Sequence, residues 1–197
     1  NNQDFIVKDL EKFDFSDTDI AFFSAGASIS SQYAIKAEKN NCYVIDNTSF
    51  FRMNEDIPLI IPEVNEDELQ NMSRKIIANP NCSTIQMLVA LYPINKVNKI
   101  KRIIVSTYQS VSGAGQKAIN ELSEQSKSLL NNQKVVINNF PKRIAFNVIP
   151  QIDVFTDNNF TKEEMKMVNE SKKILDKDIE VNATCVRVPS YTGHAES

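Results

Sequence analysis

The sequence predicts an α/β protein built around a largely parallel sheet. Three observations carry that prediction. Short apolar runs of strand character recur in IAFF, CYVIDNTS, PLIIPEV and KIIANP, and helix-like segments such as ISSQYAIKAEK lie between them. Small or polar residues also stand where these strands end, in SAGAS, NTS and NPN, and ligands of parallel sheets gather at the carboxyl ends of strands.

In chain order, a polar and acidic opening, DFIVKDLEKFDFSDTDI, leads into an apolar run at 20–23 that reads as a buried strand. SAGAS would let a ligand approach the backbone before the following helix. CYVIDNTS is a second strand, followed by Arg52 in FFRMNEDIP. PLIIPEV reads as a further strand, NEDELQNM as a short helical turn, and KIIANP as the extended lead to Cys82. An apolar helix through TIQMLVAL is expected to close at Pro93.

Beyond Pro93, KIKRIIVSTYQSVSG is a long β-branched segment suited to an extended sheet, with Gln109 near its end. SGAG opens a helix whose Ile119, Leu122 and Leu129 approximate one apolar face. The loop-rich NNQKVVINNFPKR precedes a second apolar stretch, IAFNVIPQIDVF. Thr161 followed by Glu164 is a capping-box pattern that starts a helix running to Leu175. VNATCVRV is strand-like, and the chain then turns through Pro189 and Gly193 to His194. No repeat, low-complexity tract or flexible linker interrupts it, so a boundary near residue 80 would be a junction rather than a tether. With only four glycines among 197 residues, most turns must use Asn, which tolerates positive φ.

Composition narrows the function classes. A net charge of −3 shows no basic excess, so neither nucleic acid nor an anionic membrane is implied as a partner. Three cysteines without paired spacing form neither a disulfide framework nor a metal site, which suits a reducing compartment. No apolar run approaches the roughly 20 residues of a membrane span.

Cys82 is the first candidate for chemistry. A thiol at the mouth of a helix meets the positive end of the helix dipole and unpaired backbone N–H groups, which favour the thiolate. The alternative is a cysteine that fills volume, the reading given to Cys42 and Cys185 in their apolar runs. His194 is the only histidine, and its unperturbed pKa suits proton transfer near neutrality.

Taken together, FFSAGAS, VIDNTSFFRM, PLIIPEVN, NPNCSTIQMLVAL, IIVSTYQSVSGAG, IAFNVIPQIDVF, EEMKMVNESKKIL and ATCVRVPSYTGHAES resemble the bacterial-type aspartate-semialdehyde dehydrogenases, in that family's order across nearly the whole chain. The resemblance implies a partial Rossmann-like NADP-binding domain over residues 1–80. An α+β catalytic and dimerisation domain with a large mixed sheet would follow over 81–197. The implied reaction is the NADP-dependent reductive dephosphorylation of aspartyl phosphate to aspartate semialdehyde and phosphate. The enzyme would be a cytoplasmic homodimer serving lysine, threonine, methionine and diaminopimelate synthesis, with no metal.

Residue by residue, the resemblance makes Cys82 the nucleophile, His194 the acid–base group and Gln109 the residue that orients substrate or intermediate. Arg187 would clamp the substrate carboxylate and Glu163 would receive its ammonium, with Asn81 shaping the nucleophile's surroundings. Arg52 and Lys166 would bind phosphate. Ser24, Ala25 and Gly26, with Ser112 and Gly113, would contact the cofactor. Plainer roles stand beside these: a strand-end salt bridge for Arg187, and a solvated ion pair for Glu163 with Lys166. The sequence departs from the family at Ala27, which replaces the second glycine of its SAGG. The family also carries a glycine-rich loop ahead of this region and further sheet and helix after it, so the chain corresponds to the family's middle. Two other readings are an N-acetylglutamyl-phosphate reductase type and a catalytically silent, self-associating chain.

Overall fold

The computed structural model describes Asp4 and residues 6–197, and the chain divides into two compact units, Asn1–Pro80 and Asn81–Ser197. The first unit holds β1 (Ile20–Phe23), α1 (Ala27–Lys39), β2 (Tyr43–Asp46), α2 (Pro62–Asn65) and β3 (Ile76–Ala78). Its strands lie in the order β1-β2-β3 and all run parallel, with Phe23 beside Asp46 and Asp46 beside Ala78. Helix α1 connects β1 and β2 and buries Tyr33, Ala34 and Ala37 on one face, the two alanines letting it sit close to its support.

A buried carboxylate closes the carboxyl end of this sheet. Asp46 accepts from the Ser30 hydroxyl at 2.7 Å and from the Thr48 N–H and hydroxyl, so helix, strand and following turn are tied to one side chain. Beside it, Asn79 donates to Asn47 at 2.7 Å and Asn47 donates to Ser24 at 3.4 Å. These side chains make a polar shelf at the strand ends.

PLIIPEV is not a strand. Leu59 makes only an isolated bridge to Ala78, and the chain turns into α2 at Pro62. The cause is local: Pro62 suits the first helical position, and Asn65 accepts from Ile61 N–H while donating to the Leu59 carbonyl.

The second unit holds α3 (Cys82–Val97), β4 (Arg102–Gln109), α4 (Gln116–Leu130), α5 (Lys162–Ile174), β5 (Glu180–Arg187) and β6 (Ala195–Glu196). Its sheet has the order β5-β4-β6, with β4 parallel to β5 and antiparallel to β6. The sheet is mixed, as the family resemblance implied, with three strands among the described residues. Strand alternation decides which side chains reach the site. Ile103, Val105, Thr107 and Gln109 face inward on β4, and Ala183, Cys185 and Arg187 do so on β5. The parallel register sets Gln109 directly beside Arg187 at the shared carboxyl ends.

Helix α3 does not stop at Pro93 but continues to Val97. The carbonyl that loses its donor belongs to Val89, which lies on the exposed side where water can replace the bond. IAFNVIPQIDVF forms no ladder: Ile144 and Ala145 donate their N–H groups to Gln125 of α4, while Ile149 bridges Arg187 on the open edge of β5. Glu121 accepts from the Asn138 and Asn139 N–H groups in the same way. These bonds surround a core of Val111, Ala118, Leu122, Ile144, Ala145 and Ile149. Turns at Asn41, Asn132 and Asn159 have positive φ, the use of Asn that so few glycines require.

Helix α5 begins with the capping box expected of Thr161 and Glu164. Thr161→Ala should therefore lower the stability of the chain by about 1 kcal/mol, read as a reduced urea midpoint. An unchanged midpoint would show that the cap contributes nothing.

Candidate active site

The site is assembled in the second unit around the start of α3. Asn81 is the N-cap residue, its Oδ1 accepting from the Ser83 and Thr84 N–H groups, and Cys82 is the first helical residue. Cys82 is exposed, whereas Cys42 and Cys185 are fully buried. The nucleophile candidate is thus the one cysteine that solvent reaches.

Glu163, on the first turn of α5, is the hub of the surrounding polar groups. Its Oε1 accepts from Asn81 Nδ2 at 2.9 Å and from Gln109 Nε2 at 3.2 Å, and its Oε2 pairs with Lys166 Nζ at 3.1 Å. Burial pushes the Glu163 carboxyl up, but Lys166, Asn81 and Gln109 together outweigh this and hold it below the ordinary value. Glu163 is therefore a buried anion rather than half of a solvated surface pair. Lys166 also pairs with Asp153 at 3.3 Å, and the two carboxylates raise its pKa despite its partial burial.

Gln109 donates to the Ser83 hydroxyl at 2.6 Å as well as to Glu163. Both bonds use its amide nitrogen, which fixes the amide orientation and leaves the buried Oε1 without a protein partner. An acceptor so placed can take a proton donor from a ligand.

Arg187 and His194 are held by one residue, Ser110. Arg187 Nη1 donates to the Ser110 carbonyl at 2.6 Å, while the Ser110 N–H donates to His194 Nδ1 at 3.1 Å. None of the ion pairs described includes Arg187, so its strand-end salt bridge is not formed among the described residues. Because Nδ1 receives a backbone N–H, the neutral imidazole carries its proton on Nε2. Burial and the adjacent Arg187 charge both lower the His194 pKa, so the ring is neutral at pH 7. A Cβ on Gly113 would stand 3.1 Å from Arg187 Nη1 and 3.3 Å from His194 Nε2, so glycine here keeps both groups in place. Ser112 donates to or accepts from the Ser110 hydroxyl at 2.9 Å.

The thiol does not rest as a thiolate. Partial burial and the Glu163 charge push Cys82 up, and the Ser83 and Cys82 N–H groups with the Ser83 hydroxyl only partly offset them. The helix start does pull the thiol down as its position suggests, but burial and a neighbouring anion win.

Other residues implicated by sequence lie in the first unit. Ser24 and Ala25 follow β1, and Gly26 precedes α1 with φ of 106° and no side-chain cap bond, leaving backbone N–H groups at an exposed helix start. Arg52 is buried and its Nη2 donates to the Asn47 carbonyl at 3.1 Å. Sequence reasoning missed Ser83, Ser110 and Glu170. Ser110 follows Gln109 directly, and Glu170 lies seven residues after Glu163 on one helix face, which is the signal that could have found it.

Two outcomes follow from this geometry. Cys82 should react with iodoacetamide faster than Cys42 and Cys185 in the folded chain, as mapped by peptide mass spectrometry; equal labelling would contradict the placement. The pH midpoint of Cys82 alkylation should lie above the ordinary cysteine value of about 8.5. Glu163→Gln should move it downward, since a negative charge near the sulfur is removed, and an unmoved midpoint would show that Glu163 does not act on the thiol.

The sequence pattern of the semialdehyde dehydrogenase dimerisation domain matches residues 91–197, and that of the semialdehyde dehydrogenase NAD binding domain matches residues 1–72. Aspartate-semialdehyde dehydrogenase 2 of Vibrio cholerae is 56% identical over 193 residues, 97% of this chain and 57% of that protein. Aspartate-semialdehyde dehydrogenase of Bacillus subtilis is 51% identical over 203 residues, 99% of this chain and 58% of that protein. The crystal structure of the Vibrio cholerae aspartate semialdehyde dehydrogenase II complexed with ASA superposes with a TM-score of 0.92 at 56% identity, covering 96% of this chain and 57% of that one. The chain therefore spans somewhat more than half the length of these relatives, and in both of its parts it belongs to the semialdehyde dehydrogenase family.

Proposed function

We propose that the chain carries the acyl-transfer chemistry of an NADP-dependent aspartate-semialdehyde dehydrogenase, reducing L-aspartyl 4-phosphate to L-aspartate 4-semialdehyde with release of phosphate. The observations that support this most are that Asn81, the residue before a solvent-reachable cysteine at a helix start, is bonded with Gln109 to Glu163, and that Arg187 and His194 are both bonded to Ser110, the residue after Gln109.

Cys82 Sγ, having lost its proton to solvent, attacks the acyl carbon, forming a C–S bond as the C–O bond to phosphate breaks. The resulting thioester splits one difficult step into two. The nicotinamide cofactor, when bound, supplies the hydride that reduces the thioester carbon. His194 then presents Nε2–H to the oxygen of the tetrahedral hemithioacetal and takes that proton back as the C–S bond breaks and the aldehyde leaves. Its Nδ1 is occupied by the Ser110 N–H, so Nε2 is the atom that exchanges protons.

Arg187 suits the substrate carboxylate, being a buried guanidinium anchored by only one of its nitrogens in the bonds described. Glu163, with the unpartnered Gln109 Oε1, suits the ammonium. Lys166 and Arg52 are assigned to phosphate on family grounds, and Lys166 would exchange its carboxylate partners to serve there. Ser24, Ala25 and Gly26 fit a dinucleotide phosphate, since Gly26 has open space where a Cβ would stand and the helix start beyond it is uncapped. Ser112 and Gly113 are assigned to the cofactor in the second unit. NADP rather than NAD is part of this proposal.

We assign residues 1–80 to cofactor binding and 81–197 to catalysis and self-association as a homodimer. Ile104 and Tyr108 on the exposed face of β4 suit such pairing. No helix among the described residues is long and apolar enough to cross a membrane, and three free cysteines fit the reducing cytoplasm.

The test needs no cofactor. Incubation of the chain with aspartyl phosphate alone should add one aspartyl group to the peptide carrying Cys82 and release phosphate, and Cys82→Ser should abolish both. An adduct on another residue, or none in protein that is folded, would contradict the proposal.

A further inference from the structure

Asn81 is held from a side that the proposed chemistry does not use. Its own backbone N–H donates to Glu170 Oε2 at 2.7 Å, between residues 89 apart in sequence. Glu170 lies on the third turn of α5 and is 1% exposed. The same helix face carries Glu163, Lys166 and Met167. One residue of the α3 start is thereby fixed at three points: its N–H by Glu170, its Nδ2 by Glu163, and its Oδ1 by the first N–H groups of α3.

We propose that Glu170 is a positioning residue for Cys82, acting through the Asn81 backbone to hold the start of α3 where its N–H groups face the sulfur. The proposal rests on the reading of Cys82 as the reactive thiol. The N-cap residue sets the direction in which a helix leaves its loop, and Cys82 follows it immediately. Glu163 alone holds a side-chain tip, about which the backbone could still swing. Glu170 removes that freedom, because a bond from a backbone N–H to a buried carboxylate is short, charge-assisted and costly to leave unmade. A carboxylate near a thiol also disfavours the thiolate, so a purely electrostatic Glu170 would not slow alkylation when its reach is shortened with the charge kept, whereas a positioning one would.

Two substitutions separate these roles. Glu170→Gln keeps the reach and an oxygen acceptor but loses the charge; Glu170→Asp keeps the charge but falls short by one methylene. The readout is the pH profile of Cys82 alkylation by iodoacetamide in the full chain, with folding checked by circular dichroism. Glu170→Asp should slow alkylation at pH 7.5 about tenfold, the change produced by a one-unit rise in the thiol midpoint. Glu170→Gln should leave the rate unchanged or faster. A normal rate in Glu170→Asp, or an equal loss in both variants, would overturn the proposal.

If Glu170→Asp does not fold, amide exchange at Asn81 decides. That N–H should be protected in the parent chain and exchange at least about tenfold faster in Glu170→Gln, since a neutral acceptor holds it less well. Rapid exchange in the parent chain, or no change in the variant, would overturn it. Alkylation and exchange need neither substrate nor cofactor, so these outcomes are independent of whether the chain acts on aspartyl phosphate.

Discussion

A single buried anion organises the second unit. Glu163 receives Asn81, Gln109 and Lys166, one from the cap of α3, one from the end of β4 and one from its own helix. An isolated carboxylate could not stay ionised in such a place, and these three donors make burial tolerable. The arrangement in turn depends on which elements arrive there. Capping fixes the start of α5, strand alternation brings Gln109 to the inner face, and register sets Arg187 beside it. A shift of one residue in either strand would turn its polar end residue away from the site.

The same anion governs the resting chemistry. A helix start stabilises a nearby negative charge by about 0.3–1 kcal/mol, while one pKa unit corresponds to about 1.4 kcal/mol. Partial burial and a fixed carboxylate exceed that modest gain, so Cys82 rests as a thiol. His194 is pressed in the complementary direction by burial and Arg187 and rests neutral. The two groups therefore wait un-ionised. Binding of a cationic group at Glu163 would weaken the charge that opposes the thiolate, which links occupancy of the site to its reactivity.

Much of the fold was legible in local sequence. The parallel strands of the first unit, the capping box at Thr161 and the Asn-based turns follow from periodicity and side-chain bonding within a few residues. Where reading failed, the deciding partner was distant or was solvent. PLIIPEV has strand composition, yet Pro62 and the side chain of Asn65 convert it to a turn and helix. Pro93 sits inside α3 because its unmade bond faces water, and residues 144 and 145 spend their N–H groups on Gln125 instead of a ladder. The cysteine and histidine of the candidate site stood out by type and placement. Ser110 and Glu170 did not, because their contribution is made through backbone atoms to partners 84 and 89 residues away. The direction of the Cys82 shift was also illegible, since it depends first on burial in the folded chain and then on a carboxylate from another helix.

The most direct measurement of this account is the nitrogen spectrum of its lone histidine. In uniformly ¹⁵N-labelled chain at pH 7, the imidazole of His194 should give the shifts of a neutral ring protonated at Nε2, with Nδ1 as acceptor. An imidazolium spectrum at that pH would contradict an un-ionised resting site, and a neutral ring protonated at Nδ1 would contradict the Ser110 bond that fixes its tautomer.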